Sequence, residues 1–285
     1  MVGLMRTGPR RVEVPIVNRI AGSRTDVVTV EEPLEIWVAY TDEQNEPVEL
    51  SLSITMRTPG DDKALAAGFL FAEGIISDYA DISKIEFFGP VTEPLSIQNQ
   101  LKVHLKSGTG LENKNFQRYF YSNSSCGVCG KSSIQALQML HQPKIEENSF
   151  VIREQRLREL PVCLRSAQSE FDRTGGLHGI ALVDCHGEIM LTKEDIGRHN
   201  AMDKLIGHLL IEGELATRDK MVLVSGRASY ELVQKALMAD ISFFAAIGAP
   251  SSAAVDLATT FGMTLVGFLR DDGYNIYHKS HRIVQ

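Results

Sequence analysis

From about residue 175 onward the chain alternates apolar, strand-like runs with amphipathic helical ones, and no other feature restricts the fold as much. GIALVDC (179–185) and EIMLTKE (188–194) read as two strands joined at His186-Gly187 in a hairpin. RHNAMDKLIGHLLIEG, MVLVSG, SYELVQKALMAD, SFFAAIGAP, SAAVDLATTFG and MTLVGFLR follow as helix, strand, helix, strand, helix and strand, and YNIYH supplies a last strand. Strands separated by helices of this length predict α/β layers, with the helices packed on a largely parallel sheet.

The N-terminal half reads differently. VVTVEE, LEIWVAY and VELSLSITM alternate or are β-branched, which predicts strands. TPGDDKALAAGFLFAEG predicts a helix that opens after Pro59-Gly60, carries Asp61 and Asp62 at its positive end and leaves at Gly74. KIEFF and QLKVHL predict two more strands. The expected organisation is a flexible tail over 1–25, a strand-rich α+β region over 26–110, and an α/β domain over 111–285 that carries a Cys-x-x-Cys loop. With 285 residues the chain is long enough for a proper core.

A net charge of -7 disfavours nucleic acid as a partner. Neither a signal-peptide core nor an uninterrupted apolar stretch of membrane-spanning length is found, so no membrane span is expected and the expected compartment is the cytoplasm. Of the four cysteines, Cys163 and Cys185 stand in apolar settings and read as buried structural residues. Cys126 and Cys129 form Cys-Gly-Val-Cys on a glycine-flanked loop at the start of a helix that runs to Pro143. A helix N-terminus stabilises a thiolate, the reactive form of cysteine, and Lys131 adds positive charge. Half a zinc site, a redox dithiol and a sulfur-transfer cysteine all fit this spacing. A second ligand pair for zinc is missing, and His186-Gly187-Glu188 follows the cysteines where a zinc deaminase would place it ahead of them, so no metal site is expected.

Two further segments carry candidate chemistry. EDIGRHNAMDKLIG (194–207) crowds acids, bases and an amide around one helix start, with Arg198 and His199 at its centre. MVLVSGRASYELVQKA (221–236) runs an apolar strand through Ser225-Gly226-Arg227 into a helix, a geometry that offers backbone N–H groups and a guanidinium to an anion. APSSAAV repeats the theme with Ser251 or Ser252 as the cap, and Arg270 closes the next strand. Strand ends that converge in this way suit a ligand with several phosphates.

These residues resemble the FdhD/NarQ family, the formate dehydrogenase accessory sulfurtransferases. The resemblance is carried by EEPLEI (31–36), MRTPGDDKALAAGFLFAEGII (56–76), SSCGVCG (124–130), TGGLHGIAL (174–182), EDIGRHNAMDKLIG (194–207), SGRASYELVQKA (225–236) and GAPSSAAVDLA (248–258). It implies a cytidine-deaminase-like three-layer C-terminal domain beside a smaller strand-rich α+β region. It also implies a sulfur carrier that takes persulfide sulfur from a cysteine desulfurase on Cys126, with Cys129 as its partner. The sulfur passes to the molybdenum bis(molybdopterin guanine dinucleotide) cofactor, bound as a substrate, before that cofactor enters formate dehydrogenase. The family's cofactor-binding segment aligns with Phe268, Leu269, Arg270, Asp271, Asp272 and Gly273, and Arg198, His199, Ser225, Gly226 and Arg227 are expected to join it. No stoichiometric metal of its own is implied, and a homodimer is. The rival expectation is a non-catalytic chaperone for the same cofactor.

Overall fold

The computed structural model describes residues 10–18, 22–42, 44–106, 145 and 150–285. Its first element is a hairpin of β1 (Arg11–Asn18) and β2 (Gly22–Thr29), paired antiparallel along its length. Residues 11–18 and 22–25 of the stretch expected as a loose tail are therefore strand. The hairpin is fixed at its base: Arg11 pairs with Glu170 at 2.8 Å, Thr29 bonds Thr174 at 2.8 Å, and Arg10 donates to the Glu194 carbonyl at 3.0 Å.

β3 (Glu32–Thr41), β4 (Pro47–Arg57), β5 (Ile82–Thr92) and β6 (Ile97–Leu105) form a four-stranded sheet in the order β4-β3-β6-β5. These are the strands that the alternation predicts. Helix α1 (Asp62–Ala72) also matches its prediction and buries Leu65, Leu70 and Phe71. The short β7 (Ile152–Arg153) pairs in parallel with β14 (Ile283–Val284), and the C-terminal sheet has six strands in the order β13-β12-β11-β10-β8-β9. They are β8 (His178–Val183), β9 (Ile189–Asp195), β10 (Met221–Val224), β11 (Phe243–Ala246), β12 (Thr264–Arg270) and β13 (Gly273–His278). Only β10, β11 and β12 run parallel, whereas β8, β9 and β13 join antiparallel, so the expectation of a largely parallel sheet is corrected to a mixed one. The cause is connection length. β9 follows β8 and β13 follows β12 through tight turns, which reverse the chain and leave no room for a crossover.

Strand alternation sends side chains to both faces of this sheet. Ile180, Leu182, Val222, Val224, Phe244, Ala246 and Leu265 pack against α4 (Arg198–Glu212), α5 (Tyr230–Met238) and α6 (Ser252–Phe261). Ala181, Val183, Met221, Leu223, Phe243 and Val266 pack on the other face against Leu157, Leu160 and Leu164. Those leucines belong to α2 (Glu154–Ala167), which the short α3 (Ser169–Thr174) follows. The result is a mixed α/β fold with helices on both faces of the larger sheet. Cys163 and Cys185, expected to be buried, are exposed. The inward leucines of α2 turn Cys163 to its outer surface, and Cys185 lies in the β8–β9 turn, where the Asp184 carboxylate takes the N–H groups of His186 and Glu188.

One apolar cluster runs from Leu34, Ile36 and Leu101 of the smaller sheet through α1 to Leu205 and Val222, so both sheets share a core. The crossing of α1 and α4 is its tightest point. A Cβ on Gly68 would strike the Asp203 carbonyl, and one on Gly207 would strike the Ala64 carbonyl and come within 2.7 Å of the Gly68 nitrogen. Both obstacles are backbone and cannot swing aside. Gly207→Ala is therefore expected to destabilise the protein by about 3 kcal/mol or more, at the upper end of overpacking costs, measured as a lower urea midpoint with an unchanged slope.

Candidate functional site

The loops that leave β10 and β11 and the irregular end of β12 at Phe268 are laced into a single shelf by backbone hydrogen bonds. Ile247 N–H donates to Val224 O, Gly248 N–H to Gly226 O, Ala228 N–H to Ala249 O, and Phe268 N–H to Gly248 O, all within 3.1 Å. Ser225 anchors the shelf to β8, since its hydroxyl accepts from Gly179 N–H at 3.0 Å and its own N–H donates to the Gly179 carbonyl. The side chain of Ser225 is thus committed to the scaffold.

Three side chains meet over this shelf. His178, at the start of β8, lies so close to Gly226 that a Cβ there would be 3.3 Å from His178 Nδ1 and 3.9 Å from Arg198 Cδ. Arg198 opens α4, and its buried Nε has no hydrogen-bond partner among the described residues. Arg227 stands exposed on the loop after β10. Neither arginine forms an ion pair among the described residues, whereas Arg57, buried elsewhere, pairs with Asp62 at 2.9 Å. Burial pushes the His178 ring below its ordinary pKa, and Arg198 and Arg227 push it further, against the opposing pull of Asp195.

The helix starts differ in what they leave open. Ser251 caps α6 by accepting from Ala254 N–H at 3.2 Å. Among the described residues, neither Gly197 at the cap of α4 nor Ser229 at the cap of α5 makes a side-chain cap bond. Ser229, at the cap position of α5, instead meets His199 Nε2 at 3.2 Å, and the same nitrogen lies 3.0 Å from Glu231. The starts of α4 and α5 thus lie beside two cations without a cap bond from Gly197 or Ser229, which is an anion-binding arrangement.

Behind the shelf a ladder of ionisable groups runs inward. His199 and Asp203 are four residues apart on α4, and Glu231 and Lys235 are four apart on α5, so each pair occupies one helix face. His199 faces Glu231, and Asp203 meets buried Lys235 at 2.7 Å. Burial pushes Asp203 up to about 6. Burial also opposes charge on Lys235, but Asp203 and Glu73 outweigh it and hold the ammonium above its ordinary range, so this pair is ionised at neutral pH. Burial depresses His199 to about 4, with Glu231 opposing and Arg198, Lys235 and His178 assisting.

The crowded 194–207 segment thus divides in two. Arg198 and His199 border the shelf. Asp195, Asn200 and Lys204 instead tie the two sheets together: Lys204 Nζ lies 2.6 Å from Asp195 and 2.7 Å from the Thr58 carbonyl, and Asn200 donates to the Met56 carbonyl at 2.7 Å. Glu194 accepts the N–H groups of Glu170 and Phe171 at the start of α3. The 268–273 segment is also divided. Phe268 joins the shelf with a positive φ of 54°, Leu269 is buried in the second core, and Asp271 accepts from Arg158 of α2 at 2.6 Å. Arg270, Asp272 and Gly273 lie at the turn into β13, where Arg270 pairs with Gly273. Cys126 and Cys129 lie outside the described residues. His178, Ser229 and Glu231 carry no signal of their own in the sequence, although His178 stands inside TGGLHGIAL; only folding reveals that it faces the arginines.

The FdhD/NarQ family profile matches residues 30–284. Among curated relatives, a protein of Streptomyces avermitilis named sulfur carrier protein FdhD is 44% identical over 280 residues, 98% of this chain and 96% of the relative. Proteins of the same name from Mycolicibacterium paratuberculosis and Sulfolobus acidocaldarius are 42% and 40% identical, and cover 98% and 96% of this chain and 100% and 98% of their own lengths. A crystal structure of a candidate formate dehydrogenase accessory protein from Desulfotalea psychrophila shares the fold with a TM-score of 0.71 at 23% identity, covering 97% of this chain and 100% of that one.

The ring of His199 is expected to remain neutral down to pH about 4, against an ordinary midpoint of about 6.5, in an NMR titration of the imidazole carbons. The unfolded chain takes up that proton near 6.5 and the folded one does not. The contribution of His199 to stability is therefore present above pH 6.5 and lost as pH falls through the window down to about 4.

Proposed function

The chain belongs to the FdhD/NarQ family, and from that membership we propose that it carries sulfur as a persulfide on Cys126 and delivers it to a molybdenum bis(molybdopterin guanine dinucleotide) destined for formate dehydrogenase. The observation that carries this reading is the near-full-length similarity to relatives named sulfur carrier protein. The C-terminal sheet, with helices on both faces, is read as a cytidine-deaminase-like layer arrangement. In this reading the protein works in the cytoplasm, as a homodimer, between a cysteine desulfurase and its client.

The chemistry follows from thiolate reactivity. The Cys126 thiolate attacks the outer sulfur of the desulfurase persulfide, the S–S bond breaks, and the desulfurase leaves as a thiolate while Cys126 becomes the persulfide. Once the cofactor is bound, the Cys129 thiolate attacks the inner sulfur of Cys126. That step forms a Cys126–Cys129 disulfide and expels hydrosulfide, which carries the electron pair to the metal. A dithiol reductant reopens the disulfide for the next cycle. The shelf supports the cargo half of the reading: Arg198 and Arg227, with the uncapped starts of α4 and α5, suit the pyrophosphate of a guanine dinucleotide. Tight turns and short polar side chains leave its floor to backbone atoms, as a phosphate requires.

The purified protein is incubated with an active desulfurase and cysteine, and intact mass is read before and after reductant. A gain of one sulfur that reductant removes is expected, lost in Cys126→Ala and kept in Cys129→Ala. Wild-type protein that gains no sulfur would replace this reading with that of a chaperone that only shelters the cofactor.

A further inference from the structure

We propose that the shelf binds its phosphate ligand together with a proton, and that His178 is the group that holds it. The inference rests on the reading of the shelf as the site for the guanine dinucleotide, and it adds a binding residue and a proton to that reading.

His178 sits where a ligand phosphate between Arg198 and Arg227 would meet it. Its ring lies against Gly226, a shelf position without a side chain, and the stem of Arg198 passes the same point. The ring has no hydrogen-bond partner among the described residues, unlike His199, whose Nε2 is held between Ser229 and Glu231. The charged groups that act on it are Arg198 from α4, Arg227 from the loop after β10 and Asp195 from the end of β9, and the two cations outweigh the one carboxylate. Asp195 is moreover held by Lys204 at 2.6 Å and by the N–H groups of Thr58 and Gly197 at 3.1 and 2.9 Å, so its carboxylate is compensated by partners other than the ring. Without ligand, burial and two guanidinium groups thus favour the neutral form of His178.

A phosphate on the shelf reverses that field. It neutralises the arginines and places negative oxygens beside an imidazole, which then gains a charge-assisted hydrogen bond only by taking up a proton. His199 does not compete for this role, because Glu231 already faces it and Lys235 lies behind. Affinity for the ligand should therefore rise as pH falls, by up to about tenfold per pH unit, between the midpoint of the bound ring and that of the free one.

The probe is guanosine diphosphate, titrated calorimetrically into the full-length protein between pH 6 and 8 in two non-phosphate buffers of different ionisation enthalpy. Wild type is expected to take up more protons per nucleotide than His178→Gln, with a difference approaching about one and a steeper gain in affinity toward pH 6. Taking the difference between the two proteins cancels the titration of the nucleotide's own terminal phosphate. An NMR titration of wild-type protein gives a second readout, in which the His178 midpoint should rise when the nucleotide binds. Binding with equal proton uptake in both proteins, or an unmoved His178 midpoint, overturns the inference while leaving the shelf as the nucleotide site. Binding that survives Arg198→Gln with Arg227→Gln, or no binding by wild type, overturns the placement of the nucleotide itself and the inference with it.

Discussion

The buried ion pair between Asp195 and Lys204 is the contact on which the arrangement depends. Both side chains are fully buried, and an isolated charge in that position would be costly. The cost is offset because each charge is bonded on several sides. Asp195 accepts from the N–H groups of Thr58 and Gly197 and from Asn200, and Lys204 donates to the Thr58 carbonyl. Thr58 belongs to the turn between the smaller sheet and α1, while Asp195 and Lys204 belong to β9 and α4. The pair therefore fixes where α4 begins, and with it Arg198, relative to both sheets. The candidate site places two arginines that have no ion-pair partner among the described residues beside a histidine whose charged form they disfavour, and groups that repel one another in this way require such a frame.

The fold was legible wherever the pattern was local. The β-branched alternation of residues 48–56 and the apolar spacing of α1 each specify their own secondary structure. Strand direction was less legible: apolar runs such as MVLV and EIMLTKE look alike whether they pair parallel or antiparallel, and the turn at His186-Gly187 settles only its own neighbours. Cys163 and Cys185 were misread for a related reason. An apolar neighbourhood in sequence does not say which face of a helix a residue occupies, and Val162 beside Cys163 is itself 62% exposed.

The site was legible in part. Arg198, Arg227 and Gly226 could be picked out because strand-turn-helix joints present N–H groups and cations in a recognisable pattern. Asp195 and Lys204 looked equally functional, yet they serve the interior, and composition cannot distinguish a charge aimed at a ligand from one aimed at a backbone carbonyl. His178 was hidden because its role comes from neighbours that lie 20 and 49 residues away in sequence, Arg198 and Arg227. Ser225 illustrates the converse, a residue at the right turn whose hydroxyl is already taken by Gly179.

The glycine crossing of α1 and α4 has a mechanical consequence. Where two helices touch through backbone, no side chain can change rotamer to absorb a shift, so the pair behaves as a stiff joint rather than a compliant cushion. Arg198 rides on one end of that joint and the smaller sheet on the other. Any force exerted on the start of α4 is thus borne by α1 and the four strands beneath it, and the far sheet becomes part of the lever arm of the candidate site.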